Sequence, residues 1–318
     1  IRELADLMQI PVITTMMGIS VFPDDDQLFC GMIGTHGVKM ANAAVNECDV
    51  LFLVGARVGD RAVKTPLALE KTTKIIHIDI DPAEIGKNIG ADLPLVGDAK
   101  LVLQQMTELA KPMKHDEWIA HIKTLGGERK YVEPAKGTVN PRVFIDRLAK
   151  KMPANVTVVA DVGQNQIWTC TEYKFRKEGR LLTSGGMGTM GYSVPAAIGA
   201  KMADNSRATV AICGDGAFQM SFMELATAVQ FGVDIKVVVM TNNRLGMVRE
   251  LQTNGYHDRQ TAVFLDGSPD FIKLAEAYGI PAMRVYDDDT MDKGIEMLAE
   301  HKGICLVEVV VDKDMPTL

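Results

Sequence analysis

Ala208-Thr-Val-Ala-Ile-Cys213 runs directly into Gly214-Asp215-Gly216, and Ile235-Lys-Val-Val-Val-Met240 runs into Thr241-Asn242-Asn243. Each is a short, β-rich apolar stretch that stops at a polar cluster, as a buried strand does where it meets a loop. Between them Phe218, Phe222, Leu225, Ala226 and Val229 recur at helical spacing, which predicts a helix joining two parallel strands. Parallel strands carry Asp215 and Asn242 to one edge of the sheet, the edge at which open α/β sheets bind ligands.

The residue types at that edge suit a magnesium diphosphate. Mg²⁺ takes hard oxygen ligands and draws only a few of them from protein, leaving the rest to phosphate and water. Asp215 offers a carboxylate oxygen and Asn242 an amide oxygen. Gly214 and Gly216 remove side chains where backbone must approach a phosphate, and the following helix start favours negative charge. A Gly-Asp-Gly by itself reads more readily as a tight strand-to-helix turn with a capping Asp. Asn242 at the matching strand end tips the reading toward the metal.

These residues resemble the cofactor motif of the thiamine diphosphate enzymes, a Gly-Asp-Gly followed by an Asn-Asn pair. The resemblance implies metal ligands from the Asp215 side chain, the Asn242 side chain and the carbonyl of Arg244. Thr241 stands where the family's first Asn is usual, so Asn243 is the alternative register. Three further segments, Ser184-Gly-Gly-Met-Gly-Thr-Met-Gly-Tyr-Ser-Val-Pro-Ala-Ala-Ile-Gly199, Val162-Gly-Gln-Asn-Gln-Ile-Trp168 and Leu245-Gly-Met-Val248, resemble the acetolactate (acetohydroxyacid) synthase large subunits. That likeness extends along essentially the whole chain. It implies an enzyme that decarboxylates pyruvate and joins the remaining two-carbon unit to a second 2-oxo acid, pyruvate or 2-oxobutyrate, in branched-chain amino-acid biosynthesis.

By the same resemblance Val162, Gln164, Asn165, Gly188, Gly214, Gly216 and Ala217 hold thiamine diphosphate. Met190 is the apolar wedge that bends the cofactor, and Gly246, Met247 and Val248 line its thiazolium side; Met190 and Met247 are the residues nearest the chemistry. In a chain with 19 methionines, core packing is the competing account of both. Leu251 stands where a Trp often selects the larger acceptor. The family's activating Glu belongs to an upstream domain of a partner subunit and has no counterpart expected in residues 1–318.

The expected fold is α/β, two three-layer α/β/α domains with mainly parallel sheets. Residues 1–112 read as a central FAD-binding-like domain, with strands at 11–15, 50–55, 74–81 and 93–96 and helices around 37–47, 83–88 and 99–110. Residues 113–139, punctuated by Pro and Gly, read as a connecting segment with a helix near 115–124. Residues 140–318 read as the thiamine diphosphate-binding domain. Because the chain opens at Ile1 inside an apparent helix and without Met, it is expected to be a fragment lacking the pyrimidine-binding domain.

In the resembled family the central domain carries FAD that transfers no electrons in the reaction. The corresponding residues are Thr15, Met16, Thr35, His36, Gly55, Arg57, Arg61, Asp79, Ile80 and Asp98, with Gly59 replacing one family Asp. Taken singly, each has an ordinary surface or capping explanation; their order along the chain points to the flavin.

Composition bounds the alternatives. Of 318 residues, 47% are hydrophobic and 24% charged, with a net charge of −7 and no basic block, so nucleic-acid binding is not expected. No apolar run reaches bilayer length, and a cytoplasmic protein is expected. Five scattered cysteines without a Cys-x-x-Cys fit reduced thiols. The resemblance implies a homodimer or homotetramer and a small regulatory subunit. Still open are a glyoxylate carboligase, pyruvate oxidase or benzoylformate decarboxylase, and a non-catalytic assembly subunit. A nicotinamide dehydrogenase is disfavoured: Gly186-Met-Gly-Thr-Met-Gly191 has the glycine spelling without the acidic residue expected further on.

Overall fold

The computed structural model describes residues 1–127, 131–176 and 178–318. Residues 128–130 of the expected connecting segment lie outside the described residues. The chain divides into two compact units, Ile1–Arg129 and Lys130–Leu318.

The first unit contains strands β1 (Val12–Thr14), β2 (Phe29–Met32), β3 (Val50–Val54), β4 (Lys74–Asp79) and β5 (Leu93–Val96). Its helices are α1 (Arg2–Met8), α2 (Lys39–Glu47), α3 (Pro66–Leu69), α4 (Ala99–Leu109) and α5 (Asp116–Thr124). β3, β4 and β5 form a parallel sheet in that order, and β1 pairs in parallel with β2. Alternation along β4 serves both faces: Ile75 packs with Val45 of α2 and Leu53, while Ile78 packs with Leu4 of α1 and Leu103 of α4. α5 belongs to this unit, with Ile122 buried against Cys30 and Ala44.

Two expectations need correction here. Residues 83–88 form turns and bends, not a helix, with Asp81 capping the N–H of Ala83 and Gly86 at φ +77°. β2 went unforeseen because Phe-Cys-Gly-Met has a glycine in its middle. A side chain at Gly31 would meet Val38 Cγ2 at 2.6 Å, so the residue that blurs the strand pattern is the one that lets α2 approach.

The second unit is a six-stranded, all-parallel sheet. Its strands are β6 (Thr157–Ala160), β7 (Arg180–Thr183), β8 (Thr209–Gly214), β9 (Lys236–Thr241), β10 (Ala282–Val285) and β11 (Cys305–Val310), ordered β10-β11-β9-β8-β6-β7. The helices are α6 (Pro141–Lys151), α7 (Gln164–Glu172), α8 (Ser193–Ala203), α9 (Asp215–Phe218), α10 (Leu225–Gln230), α11 (Gly246–Gly255), α12 (Phe271–Ala277) and α13 (Asp288–Glu300). α8, α10 and α12 close one face over Val159, Ala211, Val237 and Leu306. α7 packs on β8, and α13 packs on β10 and β11. β9 is buried at every residue, which is why it reads as an unbroken apolar run and not as an alternating one.

The crossover between β8 and β9 is interrupted: α9 ends at Phe218, a 3₁₀ turn spans Phe222–Glu224, and α10 follows. The break shifts the packing face. Phe218, Leu225 and Ala228 are buried, Phe222 is half-buried, and Ala226 and Val229 face solvent, contrary to the single-helix expectation. Phe218 meets Phe271 edge-on at 5.4 Å. Phe218→Ala is expected to cost about 3–5 kcal/mol of unfolding free energy in urea titrations, as truncation of a buried aromatic does. Val229→Ala should stay within about 0.5 kcal/mol.

Candidate functional site

The crossover from β6 leads to β7 on one side of the sheet, and that from β8 leads to β9 on the other. The carboxyl ends of β6 and β8 therefore flank a topological switch point, where a crevice opens. Asp161 to Asn165 follow β6, Asp215 to Ala217 follow β8, which ends at Gly214, and Asn242 to Gly246 follow β9.

Asp215 is 2% exposed at the start of α9. Its Oδ1 accepts the Gly216 N–H at 2.8 Å, and Oδ2 accepts the N–H groups of Asn243 at 2.6 Å and Asn242 at 3.2 Å. Burial pushes this carboxyl up to about 6, although those backbone donors pull it down. Among the described residues no cationic side chain contributes to the balance. A buried carboxylate with no paired cation is a place that a divalent ion suits.

The donors around it fit the same ion. Asn242 Oδ1 accepts the Arg244 N–H at 3.1 Å, and its Nδ2 donates to Gln164 Oε1 at 3.2 Å. Asn243 instead has a left-handed backbone (φ 55°) and an exposed side chain. Among the described residues no group of three or more His, Cys, Asp or Glu could hold a metal, so a metal here would rely on carboxylate, amide and carbonyl oxygens together. Thr241, in the place of the family's first Asn, is 9% exposed, and its hydroxyl meets no hydrogen-bond partner among the described residues.

Glycines set how closely the loops approach. A side chain at Gly246 would meet Gln164 Oε1 at 1.8 Å, and one at Gly216 would meet Leu245 Cδ2 at 2.8 Å and Met190 Cε at 3.4 Å. Gly191, at φ +83°, admits Met220 against its backbone. Asn165 ties the two loops together, donating from Nδ2 to the carbonyls of Asp161 at 2.8 Å and Ile212 at 3.2 Å. Thus Gln164, Asn165, Met190, Asp215, Gly216, Asn242 and Gly246 converge. Val162 donates its N–H to Asp161, and Ala217 is buried beside Asp215. Gly188 lies exposed at φ +67°, Met247 is half-buried, and Val248 and Leu251 face solvent from α11.

Asp161 escaped the sequence reading. Fully buried after β6, it accepts the N–H groups of Val162, Gly191 and Ser193, so a single carboxylate fixes the segment that carries Met190. Its signal was available: an acidic residue directly after the apolar run of β6. Glu250 and Thr317, which reach Gln164, carry no comparable local signal.

In the first unit the residues singled out lie mainly at strand ends. Thr15 and Met16 follow β1, Gly55 and Arg57 follow β3, and Asp79 and Ile80 close β4. Gly55 has φ +60° with open space beside it, Arg57 and Arg61 are exposed, and Ile80 is 71% exposed. Thr35 donates to the Arg61 carbonyl, and half-buried His36 follows it in the same loop. Asp79 accepts the Asp81 N–H, and Asp98 caps α4 through the N–H groups of Lys100 and Leu101.

The thiamine pyrophosphate enzyme central-domain model matches residues 1–106, and the C-terminal thiamine pyrophosphate-binding-domain model matches residues 161–309. The chain belongs to the thiamine pyrophosphate enzymes. It is 40% identical to a probable acetolactate synthase large subunit of Methanocaldococcus jannaschii, over 98% of this chain and 54% of the relative. It is 36% identical to the acetolactate synthase large subunit of Lactococcus lactis (98% and 54%) and 39% identical to an acetolactate synthase of Arthrospira platensis (99% and 56%). The chain spans about half the length of these curated relatives.

Two outcomes follow from this geometry. Gly246→Ala must displace the hydrogen-bonded Gln164 and should cost about 1–3 kcal/mol, read by chemical denaturation. In the metal-free protein, Asp215 holds its proton more tightly folded than unfolded, so it contributes stability at low pH that is lost as pH rises through about 6. The stability difference between the unsubstituted chain and Asp215→Asn should therefore shift by roughly 2 kcal/mol against the unsubstituted chain between pH 4 and 7.

Proposed function

We propose that this chain is the central and diphosphate-binding part of an acetolactate synthase large subunit. In this reading it works on pyruvate and a second 2-oxo acid, pyruvate or 2-oxobutyrate, in branched-chain amino-acid biosynthesis. The observation that carries it is the buried carboxylate of Asp215, held by backbone N–H groups and, among the described residues, by no cationic side chain, beside Asn242 and the Gly216 and Gly246 cradle, at a switch point. The names of the relatives give the reaction class.

Asp215, Asn242 and the Arg244 carbonyl would hold Mg²⁺. Val162, Gln164, Asn165, Gly188, Gly214, Gly216 and Ala217 would hold the diphosphate, Gln164 and Asn165 from the backbone at the start of α7 because their side-chain NH₂ groups are bonded elsewhere; for the metal, Asn242 is preferred over Asn243 because only its side chain is drawn inward. Met190, which rests against Gly216, would press on the cofactor from the apolar side, and Gly246, Met247 and Val248 would line its ring. Bound thiamine diphosphate supplies a ring that stabilises the negative charge left on the substrate carbon by decarboxylation. The activating Glu that the resemblance implies is assigned to a partner subunit's upstream domain and not to this chain.

FAD would lie along the strand ends of the first unit. Arg57 and Arg61 offer exposed forks for its diphosphate, and Gly55 leaves room for it. Among the described residues no helix is long and apolar enough to cross a membrane. A cytoplasmic homodimer or homotetramer with a small regulatory subunit completes the reading.

Thiamine diphosphate with Mg²⁺ should raise the melting temperature of the chain, and Asp215→Ala should abolish the Mg²⁺-dependent part; an unchanged melting curve in the parent chain would defeat the proposal. The chain by itself should form no acetolactate. Leu251 is 61% exposed and small for its place, so 2-oxobutyrate should be only weakly preferred in the complete enzyme. Leu251→Trp should raise that preference roughly tenfold in acceptor competition, within the range that shape discrimination supplies.

A further inference from the structure

An Asn side chain can bind a cation only if its oxygen, and not its NH₂ group, faces the ion. Nothing in Asn242 itself decides this, because a half-turn of the amide exchanges the two. The surroundings do decide it. Asn242 Nδ2 donates to Gln164 Oε1, and a reversed amide would set NH₂ against the Arg244 N–H.

Gln164 has the same ambiguity and is settled further out. Its Nε2 faces the Met315 carbonyl at 2.9 Å, Thr317 Oγ1 at 3.2 Å and Glu250 Oε2 at 3.4 Å. The Met315 carbonyl and the Glu250 carboxylate can only accept. Thr317 gives its single hydroxyl proton to Glu250, which also accepts the Thr317 N–H at 3.2 Å, so toward Gln164 the hydroxyl too can only accept. Gln164 is 4% exposed and Thr317 3%, so water does not compete freely for these groups.

We propose that Glu250 and Thr317 are positioning residues that fix, through Gln164, which end of the Asn242 amide faces the crevice. This rests on the reading of Asp215 and Asn242 as cation ligands. Acceptors at Glu250, Thr317 and Met315 turn Gln164 Nε2 outward. That presents Gln164 Oε1 to Asn242, and the Asn242 oxygen is left for the metal. Gly246 makes the relay possible, since any side chain there would occupy the position of Gln164 Oε1.

The test substitutes Glu250→Gln, whose amide can donate to Thr317 and so release the hydroxyl proton toward Gln164. Mn²⁺ binding to the full chain, read by loss of the free-ion paramagnetic resonance signal with thiamine diphosphate saturating, should weaken about tenfold, the usual scale for partners of a metal ligand. Thr317→Val should act in the same direction and Thr317→Ser should restore binding. In an Asn242→Asp background both ligand oxygens are acceptors and Gln164 must reverse, so Glu250→Gln should there strengthen Mn²⁺ binding. A weakening of equal size in both backgrounds would show a merely structural role and overturn the proposal, as would unchanged binding. The metal-free chain gives an independent readout: Glu250→Gln should shift the side-chain amide proton resonances of both Gln164 and Asn242, and unshifted resonances count against the relay. If the unsubstituted chain binds no Mn²⁺ although those resonances shift, the cation-ligand reading falls and the proposal with it, while the hydrogen-bond relay stands as structure alone.

Discussion

Crossovers leave β6 and β8 in opposite directions while the two strands stay paired to their ends, where the Asp161 N–H bonds the Ile212 carbonyl, and the polar architecture of the second unit is arranged around the point where their loops diverge. Two buried carboxylates, Asp161 and Asp215, stand at its two sides, each held by three backbone N–H groups. Burying a carboxylate is costly unless donors replace water, and charge-assisted bonds from backbone are the rigid way to replace it. The loops after β6, β8 and β9, together with the turn before α8, are consequently anchored to two points. Their backbones cannot relax independently.

The two carboxylates differ in what their partners leave over. Asp161 binds residues on two separate segments and so closes the loop that brings Met190 toward Gly216. Asp215 binds its own helix start and the turn after β9, and burial still dominates its titration. One carboxylate holds the site together, and the other retains an electrostatic demand that the proposed cation would meet.

Much of this was legible because strands buried on both faces announce themselves as apolar runs, and polar residues at their ends then stand out. β8 and β9 and the pairing of Asp215 with Asn242 follow from such runs. The interrupted crossover was not legible, since Phe218, Phe222 and Leu225 keep helical spacing across a break that only packing imposes. Asp81 and Gly86 likewise turned an apparent helix into turns through local hydrogen bonds and a left-handed residue. Glu250 and Thr317 were invisible for a different reason: they lie 67 positions apart, and nothing short of the fold brings both to Gln164.

The mixture of donors around Asp215 has its own electrostatic logic. In the proposed reading a single carboxylate meets the divalent ion while Asn242 and the Arg244 carbonyl contribute neutral oxygens. A second anionic ligand would bind the ion more tightly but cancel the positive charge that must still attract a diphosphate. Neutral ligands preserve that charge, at the expense of an orientation problem that a symmetric carboxylate would not have. An amide ligand therefore requires neighbours of fixed polarity, and a buried chain of groups ending in obligate acceptors is the arrangement that provides them.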